Sequence, residues 1–109
     1  QACAGADPQR HRILFRNETR QACLVEVHHC SSKSTFHQDE VPSRGRAAPF
    51  EPSVQAWQYR VRFLSREGAR LDEIDGVTCG GGDVCVRLRA TGAGGSGPPI
   101  ASLEYPRPE

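Results

Sequence analysis

Three consecutive residues, His28-His29-Cys30, hold the densest ligand chemistry in the chain. Imidazole and thiolate suit zinc or copper, and His11 and His37 lie on segments that can fold beside them. A small periplasmic metal-binding protein using His28, His29 and Cys30 is therefore one expectation. Against it, neighbours on a strand point to opposite faces, so His28 and His29 would diverge. No C-x-x-C or H-x-x-x-H spacing occurs, and the chain has no methionine to favour Cu(I).

Cysteine has a second chemistry. Five cysteines in 109 residues fit disulfides in an oxidising compartment better than a cytosolic protein without metal. Cys79 and Cys85 flank Gly80-Gly81-Gly82-Asp83-Val84. A glycine-rich hairpin can bring their Cα atoms to the ~4.4–6.8 Å that a disulfide requires, so these two are expected to pair. Cys23 and Cys30 would sit ~23 Å apart in one straight strand at ~3.3 Å per residue. They can bond each other only if the chain turns near His28-His29; otherwise one pairs elsewhere, and spacing does not choose the connectivity. Cys3 follows Gln1-Ala2 and precedes Ala4-Gly5. A small residue before a cysteine and a small polar stretch after it resemble the end of a bacterial lipoprotein leader, where the cysteine carries lipid. Lipidation of Cys3, with membrane anchoring, is a further expectation, and the chain would then be the mature form of an exported protein.

Catalysis is not expected. No G-x-S-x-G or other nucleophile signature is present. Gly80-Gly81-Gly82 opens no helix and so cannot cradle a phosphate in the usual way. Asp72, Glu73, Asp75 and Asp83 lack the ligand spacing of a calcium loop and read as a solvated strand face. No catalytic residue, cofactor or enzymatic activity is assigned. Asn17-Glu18-Thr19 fits the N-glycosylation acceptor pattern. Arg60, Arg62, Arg87 and Arg89 read as one basic stripe that solubilises an outer face or meets an acidic protein partner. The formal net charge is +1, which supplies no long-range field for nucleic acid. No run of ~18 apolar residues is present, so no transmembrane segment is expected.

The elements that carry these residues are strands. Period-two alternation marks His11 to Arg16, Ala22 to His28 and, most strongly, Ala56 to Leu64, where Trp57, Tyr59, Val61 and Phe63 alternate with Gln58, Arg60 and Arg62. Thr35 to Val41, Arg70 to Val77 with a kink at Gly76, and Cys85 to Ala90 follow the same logic. Arg46 to Phe50 reads as a short edge strand bounded by Pro49 and Pro52. The expected core is Ile13, Phe15, Val25, Val27, Trp57, Tyr59, Val61, Phe63, Val86 and Leu88.

These strands predict an all-β fold: a small antiparallel β-sandwich, immunoglobulin-like or transthyretin-like, of about seven strands, tied by disulfides. Residues 1–10 read as a flexible lead-in, 11–90 as the sandwich and 91–109 as a Gly/Pro-rich linker and tail. Ile100, Leu103 and Tyr105 are the tail's anchors, and it either stays disordered or adds a strand to an open edge. The order of segments also resembles the von Hippel–Lindau β domain. That resemblance rests on Phe15-Arg16-Asn17-Glu18-Thr19, the turn at Pro42 to Gly45 and the aromatic strand Trp57 to Phe63. It covers about residues 11–90 and implies a sandwich. The residues of that domain's hydroxyproline pocket have no counterparts, so none of its function is implied. The leading expectation is a non-enzymatic binding or structural module, periplasmic, outer-membrane-anchored or secreted, that recognises a protein partner through loops or an edge strand.

Overall fold

The computed structural model describes residues 12–29, 35–51, 58–78 and 83–104. Expectations placed on Cys3, His11, Cys30, Trp57, Cys79 and Tyr105 lie outside the described residues.

Seven strands form two sheets. In chain order they are β1 (Ile13–Glu18), β2 (Cys23–His29), β3 (Thr35–Val41), β4 (Gln58–Leu64), β5 (Arg70–Thr78), β6 (Val84–Thr91) and β7 (Gly97–Glu104). One sheet runs β1-β6-β7 and the other β3-β2-β4-β5. The alternation read from the sequence sets the faces. In β1, Ile13, Phe15 and Asn17 are buried while Leu14, Arg16 and Glu18 lie partly exposed, and β2 and β4 repeat the pattern. The inner faces meet in one core containing Phe15, Val86 and Leu88 from the first sheet and Val25, Val27, Tyr59, Val61 and Phe63 from the second. Every expected core residue that is described is buried there, joined by Cys23, Val41, Val77 and Val84. Among the described residues, no helix is long and apolar enough to cross a membrane.

Four expectations need correction. First, the sandwich is not wholly antiparallel, because β1 and β6 pair in parallel, Ile13 opposite Val84 and Phe15 opposite Val86. No hairpin links these distant segments, and a parallel pair needs only a long crossover between its strands.

Second, Arg46 to Phe50 forms no ladder. It is a strap along β1, held by isolated bridges at Ile13–Phe50 and Arg16–Arg46. Pro49 has no N–H to offer a ladder; Phe50 N donates to Ile13 O at 3.0 Å and Ile13 N to Phe50 O at 2.8 Å.

Third, of the two alternatives for the tail, residues 97–104 take that of an added strand, and the glycine-rich stretch before them is a turn and not a loose linker. Ala93–Gly95 makes a 3-10 turn, and β7 pairs antiparallel with β6 and lays Ala101 and Leu103 on the core. Gly97 permits the crossing, since a Cβ there would meet Thr91 Oγ1 at 2.6 Å.

Fourth, Cys23 is in no disulfide: it is free and fully buried.

The kink expected at Gly76 is a bulge. Tyr59 pairs with Val77 but Val61 with Ile74, so β5 carries an extra residue there, and Gly76 takes φ +73°, the left-handed region that favours glycine.

Candidate binding surface

The topology brings several turns to one end of the sandwich. The β1–β2 turn (19–22), the turn after β3 (42–45), the β4–β5 hairpin (65–69) and the β6–β7 connection (92–96) lie there. Loops on a rigid sandwich are where recognition is usually placed.

Asn17 organises that end. Its side chain is fully buried. Nδ2 donates to Gln21 O at 2.7 Å and to Val41 O at 3.2 Å, tying the first turn to the end of β3. Oδ1 accepts from Thr19 N at 2.9 Å and from the Thr19 hydroxyl at 2.7 Å. All four of the amide's bonding positions are thereby used, and the Ser43 hydroxyl adds a bond to Thr19 O at 2.8 Å. The same burial overturns the reading of Asn17 as a glycan acceptor on the folded surface, because the nitrogen that would carry the sugar is closed inside.

Between these turns lies a groove of about 310 Å³, lined by Thr19, Arg20, Gln21, Ala22, Ser65 and Leu71 on one side and by Ala90, Gly95, Gly97 and Pro99 on the other. A second concavity adjoins it between Gln21, Ala22, Arg66 and Glu67. Leu71 and Pro99 are half-buried apolar members of the lining, and the exposed Arg20 adds a positive charge. The size is at the small end of ligand sites and suits one or two side chains of a peptide. The hairpin wall is closed by two backbone bonds: Gly68 N to Ser65 O at 2.9 Å, and Ser65 N to Ala69 O at 2.7 Å.

The residues singled out for metal chemistry are separated. His28 faces outward, its Nε2 3.1 Å from Glu26 Oε1 and its Nδ1 3.3 Å from Thr35 Oγ1. His29 shares the inner face with Val27 and meets the Tyr59 ring edge-on. His37 stacks on Phe15 and leans on Phe50. Among the described residues, no group of three or more His, Cys, Asp or Glu is arranged to hold a metal; Cys30 lies outside them.

The cysteines divide as well. Burial, reinforced by the negative charge of Glu40, pushes the Cys23 thiol up to about 11, so this sulfur is an inert part of the core. Cys85 is fully buried on β6 between Val84 and Val86.

The arginines form no single stripe. Arg60 and Arg62 lie on β4, where Arg60 pairs with Asp75 and Glu73 and Arg62 with Glu73. Arg87 and Arg89 lie on β6, in the other sheet.

Two elements escaped sequence reasoning. Asp83 was read as solvated, yet its carboxylate is closed against Arg12. Asn17, a match to the glycan-acceptor pattern, instead pins the turns from inside. The only signal for it was the Asn-x-Thr spacing, which serves a side-chain-bonded turn as well as a glycan acceptor. No protein-family model matches the chain, and no curated protein matches it.

Proposed function

We propose that the chain is a non-enzymatic, extracytoplasmic binding module that recognises a protein partner through the loop-end groove. The observation that carries this reading is the groove itself, a concavity of about 310 Å³ lined by Leu71, Pro99 and Arg20 among others, built on turns that the buried Asn17 amide holds in place. Such a site has the composition of a recognition pocket for a short segment.

Loops are favoured over edge strands by how the edges are managed. On β7, the Ala101 N–H is taken by Asp72 Oδ2 at 2.6 Å. On β3, Asp39 stands opposite the buried Val25 and so shares its inward face, and a charge pointing inward on an edge strand discourages another strand from pairing. The extracytoplasmic assignment rests on the cysteine content, and buried Cys85 is the described cysteine proposed to form a disulfide. Cys79 is its proposed partner, which makes the domain disulfide-linked, and Cys3 is the proposed point of lipid attachment.

A photo-crosslinking residue at Gln21 tests the reading in the cells that make the protein. It is expected to give a discrete heavier adduct, absent when the same residue replaces exposed Gln58 at the other end of β4. Adducts from Gln58 alone, or none from Gln21, would overturn the groove as the contact.

A further inference from the structure

The outer face of the β1-β6-β7 sheet carries an unusual alignment. Arg16 on β1 stands directly opposite Arg87 on β6, and Arg46 of the strap bridges to Arg16 on its other side. Three guanidinium-bearing positions thus lie side by side across adjacent segments. Exposed Arg89 follows two residues along β6 on the same face. Like charges directly opposite on neighbouring strands destabilise a sheet unless an anion intervenes.

At Arg16 and Arg87, the carboxylate that stands between them, Glu18, lies too far off to bond. Glu18 Oε2 lies 3.7 Å from Arg16 Nε, and Glu18 Oε1 lies 3.6 Å from Arg87 Nε. Those separations give Coulombic attraction but no hydrogen bond. Arg16 Nε and Arg87 Nε are shut from solvent without a hydrogen-bond partner. Glu104 reaches Arg87 only through the terminal nitrogen. Beside the row, opposite Arg89, stands Ile100, 52% exposed and the large hydrophobic side chain most open to solvent among the described residues.

We infer that this face is a second contact surface and that it docks an acidic segment of a protein partner, carboxylates over the arginine row and an apolar side chain against Ile100. The inference rests on the reading of the chain as a protein-binding module but not on the groove. Arginine is enriched at interface centres because its planar fork binds carboxylates in pairs. A neighbouring apolar anchor supplies the area that charge alone lacks. An anionic membrane fits this face less well. The net charge of +1 supplies no long-range field to draw the chain to such a surface.

The test uses the isotope-labelled full chain and, as probe, a synthetic peptide of Asp-Glu-Leu-Gly repeats. Saturable amide shifts are expected at Arg16, Arg87, Arg89 and Ile100, weakening as salt is added. Arg89→Glu, at an exposed position, is expected to lower affinity about tenfold. Glu18→Gln is expected to raise it, because the competing carboxylate charge is gone. A purely structural Glu18 would give no tightening. Arg70→Glu, on the other sheet, is expected to leave binding unchanged. Shifts confined to Arg20, Gln21 and Leu71 would move acid recognition to the groove and overturn this surface while leaving the proposed function standing. No shifts, or equal losses from Arg89→Glu and Arg70→Glu, would also overturn it. So would tighter retention on phosphatidylserine vesicles than by the peptide, or a concentration-dependent dimer that Arg89→Glu disperses.

Discussion

Arg12 and Asp83 hold the start of β1 to the start of β6. Arg12 Nη2 lies 2.7 Å from Asp83 Oδ2, Arg12 Nε contacts both carboxylate oxygens at 3.3 and 3.2 Å, and Arg12 N donates to Oδ1 at 2.9 Å. Val84 N returns a bond to Arg12 O at 2.9 Å. The contact spans 71 positions of sequence and sets the parallel register in which Ile13 faces Val84. The Asp83 side chain is 1% exposed, and its loss removes the contacts to Arg12 N, Nε and Nη2 and takes the acid from a largely covered guanidinium. Asp83→Ala is expected to cost roughly 3–5 kcal/mol in urea unfolding. Arg12→Met with Asp83→Leu is expected to recover part of that loss, because no buried charge is then left alone. A cost for Asp83→Ala below about 0.5 kcal/mol, the level of a surface site, would show that the pair does not hold the register.

Asn17→Ala is expected to destabilise the domain by roughly 2–4 kcal/mol. It removes several hydrogen bonds and takes the amide donor from the Val41 and Gln21 carbonyls, of which Gln21 O keeps the Thr19 hydroxyl at 2.8 Å, and buried groups that lose a partner cost more than an average bond is worth. The damage is local, so amide exchange is expected to quicken first at residues 19–22, which line the groove. Uniformly faster exchange over all strands would instead make Asn17 a general core residue with no special hold on the groove.

Cys23 gives a pH dependence whose sign follows from its burial. The unfolded thiol ionises near its ordinary value of 9.0, while the folded one holds its proton to about 11. The unfolded state alone releases this proton between those values. The Cys23 contribution is therefore complete below pH 9 and is lost as the pH rises towards 11, by roughly 2–3 kcal/mol in all. Cys23→Val is expected to abolish that decline while preserving packing. In the native protein Cys23 is also expected to resist iodoacetamide until the chain is unfolded. Rapid native alkylation at pH 8 would contradict the burial.

Much of the fold is legible in the sequence because alternation reports burial directly. The inner residues of β1, β2, β4 and β6 follow from period two, since each strand has one wet face and one dry face. What alternation cannot carry is pairing. Nothing in Ile13-Leu14-Phe15 names Val84 as its parallel neighbour, nor does anything near Asp83 name Arg12. The binding surfaces were hidden for the same reason. The groove gathers residues from turns far apart in sequence, and the row Arg46, Arg16, Arg87 exists only in the cross-strand register. The divergence of His28 and His29 is legible by a local rule, because adjacent strand residues face opposite ways.

The chain after Thr91 gives the last prediction. Its composition, Gly92-Ala93-Gly94-Gly95-Ser96-Gly97-Pro98-Pro99, reads as a linker, and yet β7 follows it. The glycines make a tight return: Gly92, Gly94 and Gly95 all take positive φ, and Gly97 passes against Thr91. The prolines sit at the start of β7, where a missing N–H does least harm to the ladder. Beyond them Ala101 faces Leu88 and Leu103 faces Val86 in register, covering one flank of the core. Truncation after Thr91 would expose Val86 and Leu88 and leave β6 as a bare edge, so the shortened chain is expected to lose cooperative unfolding. Leu103→Ala is a milder probe of the same contact and is expected to cost roughly 1–3 kcal/mol, less than a fully buried leucine, because Leu103 is only partly covered. Gly97→Ala adds an independent check: the new methyl must displace Thr91, and overpacking of this kind costs roughly 1–3 kcal/mol. If the truncated chain unfolded cooperatively at the same urea concentration as the full one, residues 97–104 would be a tail after all, and Ile100 would no longer be held beside the arginine row.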